Sequence, residues 1–130
     1  MKIVDRKTFM QMPKGTVFCK FPLNFEGDGK NYCLGIGAPS ILLQSSDEDF
    51  FPLDLGDDLW PVDADDSIKY SEILLDMQSH LGKEVPFEHC SGRDGFYEDS
   101  NVGFAIYSRS EVQEMIDLLQ QALKDGYEDI

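Results

Sequence analysis

The apolar residues Val112, Met115, Ile116, Leu119, Ala122 and Leu123 recur at helical spacing. A stripe with that period makes sense only as one face of an amphipathic helix that packs against something apolar. Ser110-Glu111-Val112-Gln113 matches a capping box, so the helix is expected to begin near Ser110, and Gly126 is expected to stop it. Leu118 falls off the stripe, and an additional exposed leucine can mark a helix–helix contact between subunits. A second stripe of Ile73, Leu74, Met77 and Leu81, with Tyr70 on the same side, predicts a helix over 67–81. Asp65, Asp66 or Ser67 can cap it, Gly82 suits its C-terminal end, and Tyr70 and Met77 are expected in the core.

The first half of the chain has no such period. Asp5 can cap a short helix from Arg6 to about Gln11, ended by Pro13. Thr16–Phe21 alternates, with Val17, Cys19 and Phe21 on one face, and reads as a strand. Tyr32–Ile36, Ile41–Gln44 and Phe50–Leu55 read as further strands, the last demoted to an edge by Pro52. Pro61–Asp66 is linker-like, with Trp60 before it as a packing anchor, and Val102–Tyr107 reads as a buried strand. A strand-rich 1–58 followed by helices at about 67–81 and 110–125 predicts an α+β fold. Its expected form is an antiparallel β-sheet in the N-terminal half with two C-terminal-half helices, in a single domain of 130 residues.

The net charge of −14 bears on function. Phosphates would be repelled over most of such a surface, which argues against binding long nucleic acid through its backbone. A small anion held in a local basic pocket is still compatible, and Arg6, Arg93 and Arg109 are the only arginines that could serve it. The N-terminus has no signal-peptide pattern, and no run approaches the roughly 18 apolar residues of a membrane span. The cysteines, Cys19, Cys33 and Cys90, are odd in number and widely spaced, which fits free thiols in a reducing cytoplasm. Asp54, Asp57, Asp58, Asp63, Asp65 and Asp66 form an acidic block. It reads either as a solvated surface or as a mimic of nucleic-acid phosphates that occupies the basic cleft of another protein.

Phe87–Tyr97 carries the densest chemistry: Phe-Glu-His-Cys-Ser-Gly-Arg-Asp-Gly-Phe-Tyr. Gly92 and Gly95 bracket Arg93-Asp94, as a sharp turn or a close backbone approach to a ligand requires. The Arg93 fork suits a phosphate, the Asp94 carboxylate can accept from ribose hydroxyls, and Phe96 and Tyr97 can stack on a flat ring. The same residues also read as a plain turn leading into a strand. No catalytic, metal or cofactor site is expected. His80, His89 and Cys90 form no zinc pattern. His89-Cys90-Ser91 has the H-x-S form of phosphodiester-cleaving enzymes, but the second histidine continues as Leu81-Gly82 and lacks the matching hydroxyl. A Cys90 nucleophile paired with His89 or His80 would lack an orienting third group, so Cys90 reads as a structural thiol.

Three segments together resemble the first family of phage Thoeris anti-defence proteins. They are Met1–Phe9 with Met12-Pro13-Lys14-Gly15-Thr16, then Gly92-Arg93-Asp94-Gly95, then Phe104-Ala105-Ile106-Tyr107 passing into the helix from Ser110 to Lys124. The likeness covers the two ends of the chain, and residues 22–66 do not align. Proteins of that family are sponges that bind a cyclic ADP-ribose isomer and release it intact. The resemblance implies an α+β homodimer, a hexamer in some members, with pockets made by both subunits and, in hexamers, a separate pocket for cyclic trinucleotides. It implies action in the host bacterial cytoplasm. It makes Arg93 and Asp94 ligand contacts and Gly92 and Gly95 the turn that shapes them. Arg109, just after the last strand, is a further candidate contact, whereas Phe96 and Tyr97 as base platforms follow from their chemistry alone.

Overall fold

A computed structural model of the protein describes residues 1–23, 37–46, 49–56, 59–92 and 102–127. The strand expected over Tyr32–Ile36 lies outside the described residues, as do Cys33, Asp57, Asp58 and Arg93 to Tyr97. Among the described residues the fold is α+β. An antiparallel sheet has strand order β1-β7-β2-β3-β4, formed by β1 (Lys2–Val4), β2 (Val17–Pro22), β3 (Ser40–Ser45), β4 (Phe50–Asp54) and β7 (Val102–Ile106). β5 (Trp60–Pro61) and β6 (Phe87–Glu88) form a separate two-stranded ribbon. The helices are α1 (Arg6–Phe9), α2 (Ser67–Leu75) and α3 (Arg109–Gly126).

The sheet is drawn from both ends of the chain. β7 lies between β1 and β2, and one register row runs Lys2, Ile106, Phe18, Ser40, Asp54 across all five strands. β1 was not expected; three residues are too few to show an alternation, and their partner is about 100 positions away in the chain. β4 is a terminal strand of the sheet, consistent with Pro52, and β3 bulges between Leu42 and Gln44 where it pairs with β4.

One face of the sheet is closed by α1. Asp5 caps this helix, its carboxylate accepting from the Thr8 N–H at 2.8 Å. Phe9 then enters a core of Val4, Phe18, Leu42, Phe50 and Phe104. Phe9 stacks on Phe104 with ring centroids 4.1 Å apart and planes 2° from parallel, and meets Phe50 edge-on at 5.0 Å. Arg6 reaches over the Phe50 ring at 5.5 Å, a cation–π contact that ties the first turn of α1 to the same cluster. Of the expected grouping, Val17 and Cys19 lie on the other face of β2, and the Phe21 side chain lies outside what the structure describes. Phe18 is the residue that enters the aromatic core, while Cys19 and its neighbour Ala105 are buried on the opposite side. Burial on both faces of a central strand removes the polar half of the alternation, so periodicity could not choose between them.

The helices depart from expectation at their ends. Asp66 caps α2, accepting from the Lys69 N–H at 2.7 Å, but the helix ends at Leu75 and a 3-10 turn follows over Met77–His80. Gly82, at φ +78°, takes the left-handed conformation beyond it. Met77 is exposed rather than in the core; Tyr70 is half-buried because it stacks on Trp60 at 4.3 Å, which docks α2 on the ribbon and not on the sheet. Ser108, not Ser110, caps α3: its hydroxyl accepts from the Glu111 N–H and its own N–H donates to Glu111 Oε1, at 3.2 and 3.0 Å. Along α3 only the first turns touch the body. Val112 and Met115 are half-buried, whereas Ile116, Leu119 and Leu123 are exposed, as is Leu118.

Removing the Phe9 ring should open the shared contact of four aromatics, so Phe9→Ala is expected to cost about 3–5 kcal/mol in urea unfolding. A cost below about 1 kcal/mol would mean that α1 does not hold the sheet. Glu111 gives a second expectation. The N-terminal ammonium at 2.7 Å and the Ser108 N–H hold its carboxyl down to about 2. A depressed folded-state pKa adds stability above the ordinary value of 4.5 and loses it as pH falls towards 2. The stability difference between wild type and Glu111→Gln should therefore be flat from about pH 5 to pH 7 and shrink below pH 5 in acid titration.

Candidate functional site

The end of the sheet not covered by α1 faces the ribbon across a cavity of about 760 Å³. That is within the range of small-molecule sites. Phe18, Lys20, Ser40, Pro52 and Asp54 line it from the sheet, and Trp60 and Glu88 from the ribbon. Register explains both walls. Ser40 and Asp54 are cross-strand partners, as are Trp60 and Glu88, so each pair presents its side chains to one side. Ser40 Oγ donates to Asp54 Oδ1 at 2.9 Å.

The segment after β6 joins ribbon to sheet. Leu53 bridges Ser91, and the Asp54 N–H donates to the Cys90 carbonyl at 3.0 Å. Edge strand β4 is thereby covered. His89 Nδ1 lies 2.9 Å from the Asp54 carbonyl oxygen. A carbonyl can only accept, so Nδ1 carries the hydrogen and a neutral ring leaves Nε2 as an acceptor. His89, Cys90, Ser91 and Gly92 complete this side of the cavity.

Trp60 is held on two counts. Its Nε1–H donates to the Ala64 carbonyl at 2.6 Å, and Tyr70 stacks on its ring. Cys19 also borders the cavity; burial pushes its thiol above the ordinary range, and Tyr107 is its hydrogen-bond partner. A thiol in that state is neutral near pH 7 and a poor nucleophile. Ser40 spends its hydrogen on the Asp54 carboxylate and His89 its Nδ1–H on a backbone carbonyl, so both hydrogen bonds are structural.

Of the residues singled out in the sequence, Gly92 lines the cavity. Its φ is not positive, and among the described residues no atom lies within 4 Å of a Cβ built there. Apart from Gly92 itself, the turn expected to run to Gly95 lies outside the described residues. Arg93, Asp94, Gly95, Phe96 and Tyr97 lie outside the described residues. Arg109 is exposed at the first turn of α3 and is not among the cavity-lining residues. It follows β7, which sits three strands from β4, roughly 14 Å at the usual strand spacing.

Sequence reading missed Lys20, Ser40, Asp54 and Trp60 as cavity residues. Asp54 was assigned to an acidic surface block and Trp60 to packing. A tryptophan amid acidic residues was the available signal, because an indole beside carboxylates has both a flat surface and acceptors near it.

Comparison with protein-family models, with curated proteins and with solved structures gives no match.

The Asp54 carbonyl fixes the His89 tautomer. Nitrogen-15 NMR at a pH where the ring is neutral should show Nδ1 protonated and Nε2 bare, the reverse of the tautomer that free histidine favours. A protonated Nε2 in the neutral ring would mean that the link from His89 to β4 is absent in solution.

Proposed function

We propose that the protein binds a cyclic ADP-ribose-type signal and holds it without cleavage. In this reading it is a phage-encoded sponge in the host bacterial cytoplasm, in the manner of the Thoeris anti-defence family that its two ends resemble. One observation carries the reading: the cavity reaches Gly92, from which the chain runs directly into Arg93-Asp94-Gly95-Phe96-Tyr97. A concave site is lined by Gly92, the residue that precedes in sequence those whose chemistry suits phosphate, ribose and base. Sequestration at nanomolar concentration needs about 12 kcal/mol, and a concave site can supply the burial that this requires. Storage needs no general acid or nucleophile.

The proposed functional unit is a homodimer joined along α3. Ile116, Leu119 and Leu123 are 42%, 68% and 63% exposed on one stripe of an 18-residue helix. A second copy is the occupant that charge favours. The N-terminal half of α3 carries Glu111, Glu114 and Asp117 against Arg109, and the C-terminal half carries Lys124 with Asp125. Antiparallel pairing sets each acidic half beside the partner's neutral half and satisfies the two-fold symmetry of a dimer. Parallel pairing would align acid with acid. Hexamers and a second pocket for cyclic trinucleotides are extensions of the same proposal.

The alternative, an acidic mimic of nucleic acid that blocks a host defence protein, draws less support. Asp54 faces the cavity and accepts from Ser40, and Asp66 caps α2, so two members of the acidic block have local structural roles.

Incubation with cyclic ADP-ribose, heat denaturation and chromatography should return the nucleotide intact. Recovery of cleaved product would make the protein an enzyme. Arg93→Ala is expected to abolish binding in calorimetry while the circular dichroism stays native; unchanged affinity would remove the arginine from the site. Leu119→Asp should shift the light-scattering mass from two chains to one. A mass still at two chains would place the interface elsewhere than α3.

A further inference from the structure

We infer that the cavity receives the nucleoside part of the ligand, a purine ring against Trp60 with its amino and ribose hydroxyl groups donating to Asp54, Glu88 and His89, and that the anionic part stays at the mouth beside Gly92. This rests on the reading of the protein as a nucleotide binder and adds which end enters. Among the described residues the cavity's charged groups are Asp54 and Glu88 against Lys20, so carboxylates outnumber cations there. A pyrophosphate placed there would meet two like charges. A nucleoside meets the opposite situation, because its hydroxyl and amino groups are donors and the walls are rich in acceptors. Asp54 retains Oδ2 and further lone pairs after accepting from Ser40, and His89 presents Nε2 once Nδ1 is committed to the Asp54 carbonyl.

Trp60 supplies the flat surface. Tyr70 covers one face of the indole and the Ala64 carbonyl fixes its edge, so the ring is already oriented before a ligand arrives. An ordered platform loses little side-chain freedom on binding, which is what makes stacking effective. Trp60 and Glu88 are register partners, so a base on the indole would have its polar edge near the Glu88 carboxylate. On the sheet wall Phe18 and Pro52 supply apolar surface for the opposite ring face, beside Lys20, Ser40 and Asp54. The anionic end is then left towards Gly92 at the mouth.

Trp60 is the single tryptophan, so its fluorescence reports on the cavity alone. Adenosine is expected to quench or shift that emission, and inorganic pyrophosphate at the same concentration is not. By calorimetry with cyclic ADP-ribose, Trp60→Leu should weaken binding about tenfold or more, Trp60→Phe less than about threefold, and Glu88→Gln several-fold. If Trp60→Leu loses its native circular dichroism, adenosine quenching and Glu88→Gln decide the matter. Cyclic ADP-ribose that binds Trp60→Leu as tightly as wild type would overturn the cavity assignment and leave sequestration standing. A response to pyrophosphate and not to adenosine would also overturn it, by reversing the ligand. Adenosine binding at Trp60 with no affinity for cyclic ADP-ribose would keep the assignment and sink sequestration of that signal. Silence with both would sink the two together.

Discussion

The contact on which the remaining structure depends is the parallel stack of Phe9 on Phe104. Phe104 belongs to β7, which pairs with β1 on one side and β2 on the other. Phe9 belongs to a helix of four residues that is too short to persist by itself. The stack, the tilted contact with Phe18, the edge contact with Phe50 and the Asp5 cap fix α1 against the sheet. Both ends of the chain are thereby held in one sheet. Aromatic rings supply large buried area per residue, and here four of them do so from four separate elements.

That plug is small, and the cavity exists because of it. α1 shields the part of the sheet face around Phe104 and Phe50, and the same face continues past Phe18 to Ser40 and Asp54. A longer helix there would have filled the space. Instead, the chain returns as the β5–β6 ribbon, which meets the sheet at Leu53–Ser91 and through His89. The ribbon is itself braced from behind by Tyr70 of α2. The cavity therefore has one wall belonging to the main core and one wall belonging to a satellite cluster.

Periodicity found what is local and missed what is distant. The stripes at 112–123 and 70–81 each correspond to a helix, because the pattern is written in neighbouring residues. Their boundaries slipped where two candidates competed. Ser108 and Ser110 both precede Glu111, and the one three residues before it can exchange both hydrogen bonds of a capping box. The extent of 67–81 was overread because Leu81 and Met77 fit a helical period that the backbone abandons after Leu75. β1, the core face of β2 and the cavity were not legible. Each depends on a pairing across the chain, such as Ser40 with Asp54 or Trp60 with Glu88, and no window of consecutive residues contains both members. Gly92 lines the cavity, while the turn it was expected to open with Gly95 lies outside the described residues.

The two features that looked hardest to reconcile, an apolar helix face and a net charge of −14, fit one physical account. Acidic surfaces repel like copies at long range, so two chains approach only where an apolar contact outweighs the repulsion at short range. On α3 the apolar residues past the first turns face away from the sheet, and the acids Glu111, Glu114 and Asp117 are confined to one half of the helix. Charge of that kind weakens contact generally and penalises the parallel register most, leaving the antiparallel one as the least repelled. Among the described residues the cavity's carboxylates outnumber its one lysine, which in the proposed site favours a ligand that arrives base first. Under the proposed dimer and the proposed site, a single charge distribution governs both which way two chains meet and which way a ligand enters.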